Sequence, residues 1–305
     1  MRDTFAQTLF EEAKKDKNII LMTGDLGFGV LDRFQQELPN QFINSGVNEQ
    51  SLMGMAAGIA STGKRVFVYS IGNFPTLRCL EQIRNDVCLM NNSVVVVSVG
   101  AGYAYGPQGY THHALEDIAV MRALPNMQVI VPADPIETRI LTQLLVKSKL
   151  PSYLRLGRSN EKNIHLKDIN IKQGKFIEIE KGKFGTLIFS GSIGDIALEA
   201  AANLKLIGYP VSIVSCPFIS NLDHEYLVVA AAKGPIVTIE EHSSRGGLGS
   251  SILEFLSFAK ITSSLAIIAA EQKNPSQVGS QEFLRKSNGL SSERIIEKFR
   301  ALLEF

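Results

Sequence analysis

The sequence predicts two consecutive α/β domains, each a doubly wound, mostly parallel sheet with helices on both faces. Three observations carry this. Runs such as Ser93–Val99 (SVVVVSV) and Arg65–Tyr69 (RVFVY) are nearly unbroken by polar residues, as strands buried on both faces require. Helical patterns separate the runs, so successive strands need crossover connections and lie parallel. The alternation then occurs a second time, beyond a polar stretch rich in Lys, Ile and Glu.

Each element has a local reason. The opening MRDTFAQTLFEEAKKDK is an amphipathic helix pattern with mixed charges. Asn18–Thr23 (NIILMT) is the first strand, and Gly24-Asp25-Leu26-Gly27 the loop after it. Ser45–Ser51 opens a small-residue helix that runs on through LMGMAAGIASTG without one ionisable side chain. After strand Arg65–Tyr69 come a helix over Glu81–Met90, strand Ser93–Val99, a helix over Leu115–Ala123, strand Met127–Val131 and a helix over Pro135–Lys147. The short run Pro151–Leu154 closes the series. In the second unit, strand Gly185–Ser190 leads through Gly191–Gly194 into a helix over Asp195–Leu206. Pro210–Ser215, Pro235–Ile239 and Leu265–Ala269 are its further strands. The domains so placed are residues 1–165 and 184–305, with 166–183 a linker or a few edge strands.

Composition narrows the function. Of the 305 residues 45% are hydrophobic and 20% charged, a globular balance. A net charge of +1 provides neither a nucleic-acid footprint nor a polybasic membrane patch. No apolar run is long enough to span a bilayer, and the N-terminus lacks a signal-peptide pattern. Cys79, Cys88 and Cys216 have no metal-ligand spacing and leave one unpaired in any disulfide scheme, which reads as buried thiols in the cytoplasm. The turns at Gly24–Gly29 and Gly191–Gly194 miss the dinucleotide fingerprint, and no Walker A sequence occurs.

The unusual residues gather in loops that follow strands, where open parallel sheets hold ligands. Glu49, in the first turn of a helix otherwise without charge, is a desolvated carboxyl and a catalytic candidate. The plainer reading is a charge that favours the helix dipole. Asp25 follows the first strand, Phe74 lies in Gly72–Pro75 after the second long one, and Arg155 and Arg158 follow Pro151–Leu154. The loop Ala101–His113 (AGYAYGPQGYTHH) is long, rich in Gly and Tyr, and carries His112 and His113. Those histidines suit proton transfer or hydrogen bonding to a polar substrate, a helix cap near Ala114, or zinc, for which no third ligand stands at a suitable spacing.

Five blocks within a hundred residues then resemble one family. Gly46-Val47-Asn48-Glu49-Gln50, Val68-Tyr69-Ser70, Glu81–Val87 (EQIRNDV), Thr111–Asp117 (THHALED) and Met121–Asn126 (MRALPN, with Val131–Asp134 after it) are similar to the pyrimidine-binding domain of transketolases. The second unit resembles the transketolase C-terminal domain at Gly191-Ser192, Glu240-Glu241-His242 and Gly246–Gly249. The likeness covers nearly the whole chain. The G-D-G motif with a downstream Asn, with which the family's other domain holds the cofactor diphosphate through Mg²⁺, has no match here; Gly24-Asp25 is followed by Leu26. The resemblance therefore implies the C-terminal half of a split transketolase, with thiamine diphosphate at an interface. Mg²⁺ ligands would lie on a partner subunit carrying the diphosphate domain, in an α2β2 assembly.

The resemblance also implies roles. Glu49 matches the glutamate that hydrogen-bonds the pyrimidine ring nitrogen, and Asp25 with Leu26 the loop that contacts cofactor in the neighbouring site. Phe74 is the candidate aromatic wall, with a core aromatic as the plainer reading. His112 and His113 match the substrate histidine segment, and Arg158, with Arg155 beside it, a phosphate grip whose alternative is a surface ion pair. Gln108 stands where the family has an acidic residue that binds a sugar hydroxyl, and Tyr103, Tyr105 and Tyr110 enlarge that loop. The expected activity is transfer of a two-carbon ketol unit from a ketose or ketose phosphate to an aldose, in the biosynthesis of unusual sugars. Deoxyxylulose-phosphate synthase, the beta subunit of 2-oxo acid dehydrogenases and a non-catalytic scaffold subunit are the alternatives. Glu240-Glu241-His242 reads as a packed, hydrogen-bonding turn.

Overall fold

The structure, a computed structural model, describes residues 1–159, 161–167, 169–272 and 274–304. The first unit runs α1 (Arg2–Ala13), β1 (Ile19–Thr23), α2 (Asp32–Glu37), β2 (Phe42–Asn44), α3 (Glu49–Ser61), β3 (Arg65–Ile71), α4 (Leu80–Gln82), β4 (Val94–Val99), α5 (Asp117–Arg122), β5 (Gln128–Ile130), α6 (Pro135–Lys147) and β6 (Ser152–Leu156). The second runs β7 (Ile177–Glu180), β8 (Thr186–Ser190), α7 (Gly194–Leu206), β9 (Ser212–Ser215), α8 (His224–Lys233), β10 (Ile236–Ser243), α9 (Leu248–Phe258), β11 (Leu265–Ala270), α10 (Gln281–Ser287) and α11 (Ser292–Ala301).

The first sheet has the order β2-β1-β3-β4-β6-β5, all parallel. The chain steps from β1 outward to β2, then returns to the other side of β1 to make β3. Strand order therefore reverses at β1, and a crevice opens beyond the carboxyl ends of β1 and β3. The second sheet has the order β11-β10-β8-β9-β7. Only β7 runs antiparallel there, against β9. It lies within the stretch expected as linker, so that stretch contributes an edge strand to the second sheet. Its alternating half-buried and exposed residues explain why no buried-strand run is visible in sequence.

The two units share packing. One core cluster joins Leu52, Met53, Val66 and Val96 of the first with Ile188, Val214, Leu248 and Ile252 of the second. Edge strand β5 is covered by the second unit: Val131 N donates to Pro217 O at 2.9 Å and Ile219 N to Val129 O at 3.0 Å. That contact removes an unpaired edge. Two helices differ from expectation. The helix expected over Glu81–Met90 is α4 followed by a π-helix at Ile83–Leu89, with Ile83, Val87 and Cys88 turned inward. The one expected from Leu115 begins at Asp117, because Ala114 is held extended by paired backbone bonds with Gly102, both 3.0 Å.

Candidate functional site

Glu49 is the first residue of α3, after Asn48 at the N-cap position. Its side chain is 5% exposed, although the neighbouring Val47 stands 74% exposed. Arg78, in the one-turn helix Leu77–Cys79 beyond β3, donates from Nη1 to Glu49 Oε2 at 2.8 Å. The helix itself carries no other ionisable side chain, and the opposite charge reaches Glu49 from a separate element. The same guanidinium lies 4.7 Å from the centre of the Phe74 ring. Arg78 was missed in sequence because nothing around Leu77-Arg78-Cys79 marks it; only the fold brings it to a residue 29 positions away.

From Phe74 the contacts continue. The His112 ring meets Phe74 edge-on at 5.3 Å, and His112 Nδ1 is 2.9 Å from Thr111 Oγ1. Tyr105 lies 6.4 Å from His112, and the Arg158 guanidinium stands 5.2 Å over the Tyr105 ring. Glu49, Arg78, Phe74, His112, Tyr105 and Arg158 thus form one continuous row. It runs from the start of α3, after β2, along the loops that follow β3, β4 and β6. Asn73 ties two of those loops together: its Nδ2 donates to His113 O at 2.9 Å, while its buried Oδ1 has no partner among the described residues.

Asp25 occupies the next loop, after β1, with φ at +58°. Its backbone N donates to Asn44 Oδ1 at 2.9 Å, and Asn44 Nδ2 returns a bond to Asp25 Oδ1 at 3.2 Å. This exchange holds an exposed carboxylate at the rim, beside the half-buried Leu26 and a Phe28 that is 78% exposed. Gln108 is exposed at the end of the short helix Gly106–Gln108.

Two expected substrate contacts are corrected. His113 is 2% exposed, its Nε2 lies 3.2 Å from Gly106 O, and its ring packs edge-on against Tyr103 at 5.1 Å. It supports the loop from inside. Arg155 is also buried: Nε donates to Asp117 Oδ2 at 2.7 Å, and Nη2 to Asp117 Oδ1, Ala114 O and Glu241 O at 3.2, 2.7 and 3.1 Å. Asp117 also accepts from the Tyr153 hydroxyl. Burial alone would raise the Asp117 pKa, but Arg155 outweighs it and holds the carboxyl below its usual range. Arg155 therefore belongs to a buried ion pair of the first unit, from which it also donates to the second unit at Glu241 O, and not to an open site. The surface-pair alternative fails for the same reason.

Chemically, the row offers a buried carboxylate, an aromatic face, an imidazole and an exposed guanidinium. Among the described residues no group of three His, Cys, Asp or Glu could hold a metal ion.

Comparison with known proteins identifies the two units. Residues 1–162 match the transketolase pyrimidine binding domain and residues 174–295 the transketolase C-terminal domain. The chain is 38% identical over 259 residues to an apulose-4-phosphate transketolase subunit of Phocaeicola vulgatus, covering 84% of this chain and 83% of that one. It is 35% identical to a putative transketolase C-terminal section of Methanocaldococcus jannaschii, covering 98% and 94%. A solved split-gene transketolase, described as an inactive beta4 tetramer, superposes with a TM-score of 0.88 at 33% identity and covers 99% of this chain and 97% of its own. The chain belongs to the transketolase family and carries its pyrimidine-binding and C-terminal domains.

Proposed function

We propose that this chain is the C-terminal subunit of a split, thiamine diphosphate-dependent transketolase, active with a second subunit that supplies the diphosphate-binding domain and the Mg²⁺ ligands. The observation that carries the reading is the juxtaposition of buried Glu49, Phe74 and His112 at the strand-order reversal of the first sheet. These residues fit the aminopyrimidine half of the cofactor: a carboxyl to meet a ring nitrogen and an aromatic face to pack on a flat ring. The unpartnered Asn73 Oδ1 is a further acceptor on the same edge. When bound, thiamine diphosphate supplies the carbanion chemistry of ketol transfer.

The chain's own residues do the rest. Glu49 would hydrogen-bond the pyrimidine ring nitrogen through a carboxyl that the fold buries. Phe74 would wall the ring. Thr111 fixes His112 through Nδ1, which leaves Nε2 as the atom for a substrate hydroxyl or carbonyl oxygen. Arg158, exposed beyond Tyr105, presents a fork of donors suited to a sugar phosphate. Gln108 reads a sugar hydroxyl, while Asp25 and Leu26 reach cofactor in a neighbouring site of an α2β2 assembly.

We place the donor among unusual ketoses and take apulose 4-phosphate, the sugar named for the Phocaeicola relative, as first candidate. Three free, buried cysteines favour the cytoplasm as its compartment. The test is to co-express the chain with an N-terminal transketolase subunit from the same organism and assay two-carbon transfer with thiamine diphosphate and Mg²⁺. Transfer that vanishes in Glu49→Ala supports the reading. Turnover of pyruvate alone, with release of carbon dioxide, would replace it with a 2-oxo acid dehydrogenase.

A further inference from the structure

The loop that carries His112 is closed at its neck by the paired backbone bonds between Gly102 and Ala114. At that neck it meets a carboxylate of the second unit. Glu241, on β10 and 3% exposed, accepts the Tyr103 N–H at 2.7 Å through Oε1. Gly102 has φ at +60°, and a Cβ there would stand 2.5 Å from Glu241 Cγ, so the loop backbone lies directly on this side chain.

Glu241 is itself held. Arg285 Nε donates to Oε2 at 2.8 Å, and Gln281 Nε2 to both oxygens at 3.0 Å. Arg285 Nη2 adds a further bond to Oε2 and is anchored to Ser192 O at 3.1 Å. Farther along the loop, Gly106 is close-packed on Gly279 O and Leu284, where a Cβ would meet them at 2.4 and 2.7 Å. The loop thus rests on the second unit at its neck and at its middle, while Asn73 holds its far end to the first unit.

We infer that Glu241, locked by Arg285, is a positioning residue: it sets the backbone at Tyr103 and through that loop the place of His112. The second unit thereby takes part in shaping the substrate side of the site without touching substrate. The inference rests on the proposed role of His112 only for its kinetic consequence. The positioning itself is a property of this chain.

The decisive measurement is amide hydrogen exchange across residues 101–113 in the full chain. Glu241→Ala removes an ionic acceptor from a buried N–H, and exchange in this segment should rise about tenfold or more while the β8 and β10 amides stay protected. Glu241→Gln keeps an oxygen acceptor and should remain within about threefold of wild type. Glu254→Ala breaks a different contact between the units, the 2.7 Å pair with Arg122, and should leave the segment unchanged. Unaltered exchange in Glu241→Ala would overturn the inference, as would equal loosening of the whole second unit or the same loop effect from Glu254→Ala. In the complex with its partner subunit, Glu241→Ala should raise the KM for the donor ketose several-fold and leave the KM for thiamine diphosphate within about twofold. A complex that turns over no ketose would count against the proposed function, and the exchange result would still decide the role of Glu241.

Discussion

Arg78 spans from Glu49 to Phe74: its Nη1 lies 2.8 Å from Glu49 Oε2 while its guanidinium covers the Phe74 ring at 4.7 Å. One half-exposed side chain thus occupies both groups that would receive the aminopyrimidine ring. On the proposed roles of Glu49 and Phe74, cofactor entry displaces it. Because Arg78 is half in water, the pair is screened and contributes little to folding. Arg78→Ala should therefore fold normally and bind thiamine diphosphate about two- to tenfold more tightly in the assembled complex, as a competitor worth roughly a kcal/mol is removed. A cofactor titration followed by calorimetry gives the answer; weaker binding would mean that Arg78 contacts the cofactor.

His112 and its neighbour His113 should behave as different kinds of residue. On its proposed role, His112→Ala removes a hydrogen bond to substrate, so kcat/KM for the donor should fall about ten- to a hundredfold with unchanged thermal stability. His113→Ala removes a buried ring from between Gly106 and Tyr103, and should lower Tm by several degrees. Melting curves and steady-state kinetics on both variants separate the two effects.

Asp117 and Arg155 form a deeply buried ion pair within the first unit, at 2.7 Å with side chains 0% and 2% exposed. Asp117→Asn leaves the guanidinium buried without its counter-charge. That should destabilise the chain by about 3–5 kcal/mol, read from urea unfolding. Loss of less than about 1 kcal/mol would show that water or a rearranged partner replaces the carboxylate.

Glu240 carries a pH signature. Burial pushes its carboxyl up to about 7, although the Gly249 and Leu248 amides and the charges of Arg155 and Arg122 pull it down; His242, with Nδ1 3.8 Å away, faces it. The unfolded group releases its proton near 4.5 and the folded one near 7, so folding retains that proton between the two values. Stability is therefore full below about 4.5, falls as pH rises to about 7, and then levels. Over about 2.5 pH units at about 1.4 kcal/mol each, the loss is at most about 3–4 kcal/mol. Glu240→Gln lacks this slope. Unfolding midpoints at pH 5 and 8 should lie closer together in the variant than in wild type, and parallel behaviour would contradict the assignment.

The sequence by itself determined what local chemistry determines. Helix α6 begins and ends where its residues say, at Pro135 and Lys147, because Asp134 caps it by accepting from Glu137 N and the proline sits at the first position. The buried strands, the fold class and the site loops follow from apolar runs and turn residues a few positions apart, and the family blocks are likewise contiguous. Tertiary structure decided the partners. Arg78 reaches Glu49 across 29 residues, Arg155 turns inward to Asp117 across 38, and Glu241 reaches Tyr103 across 138. A charged side chain bears no mark in sequence of whether it will face solvent or a buried opposite charge. That is set by which strand edges the crossovers bring together and by how much water the packing leaves between them.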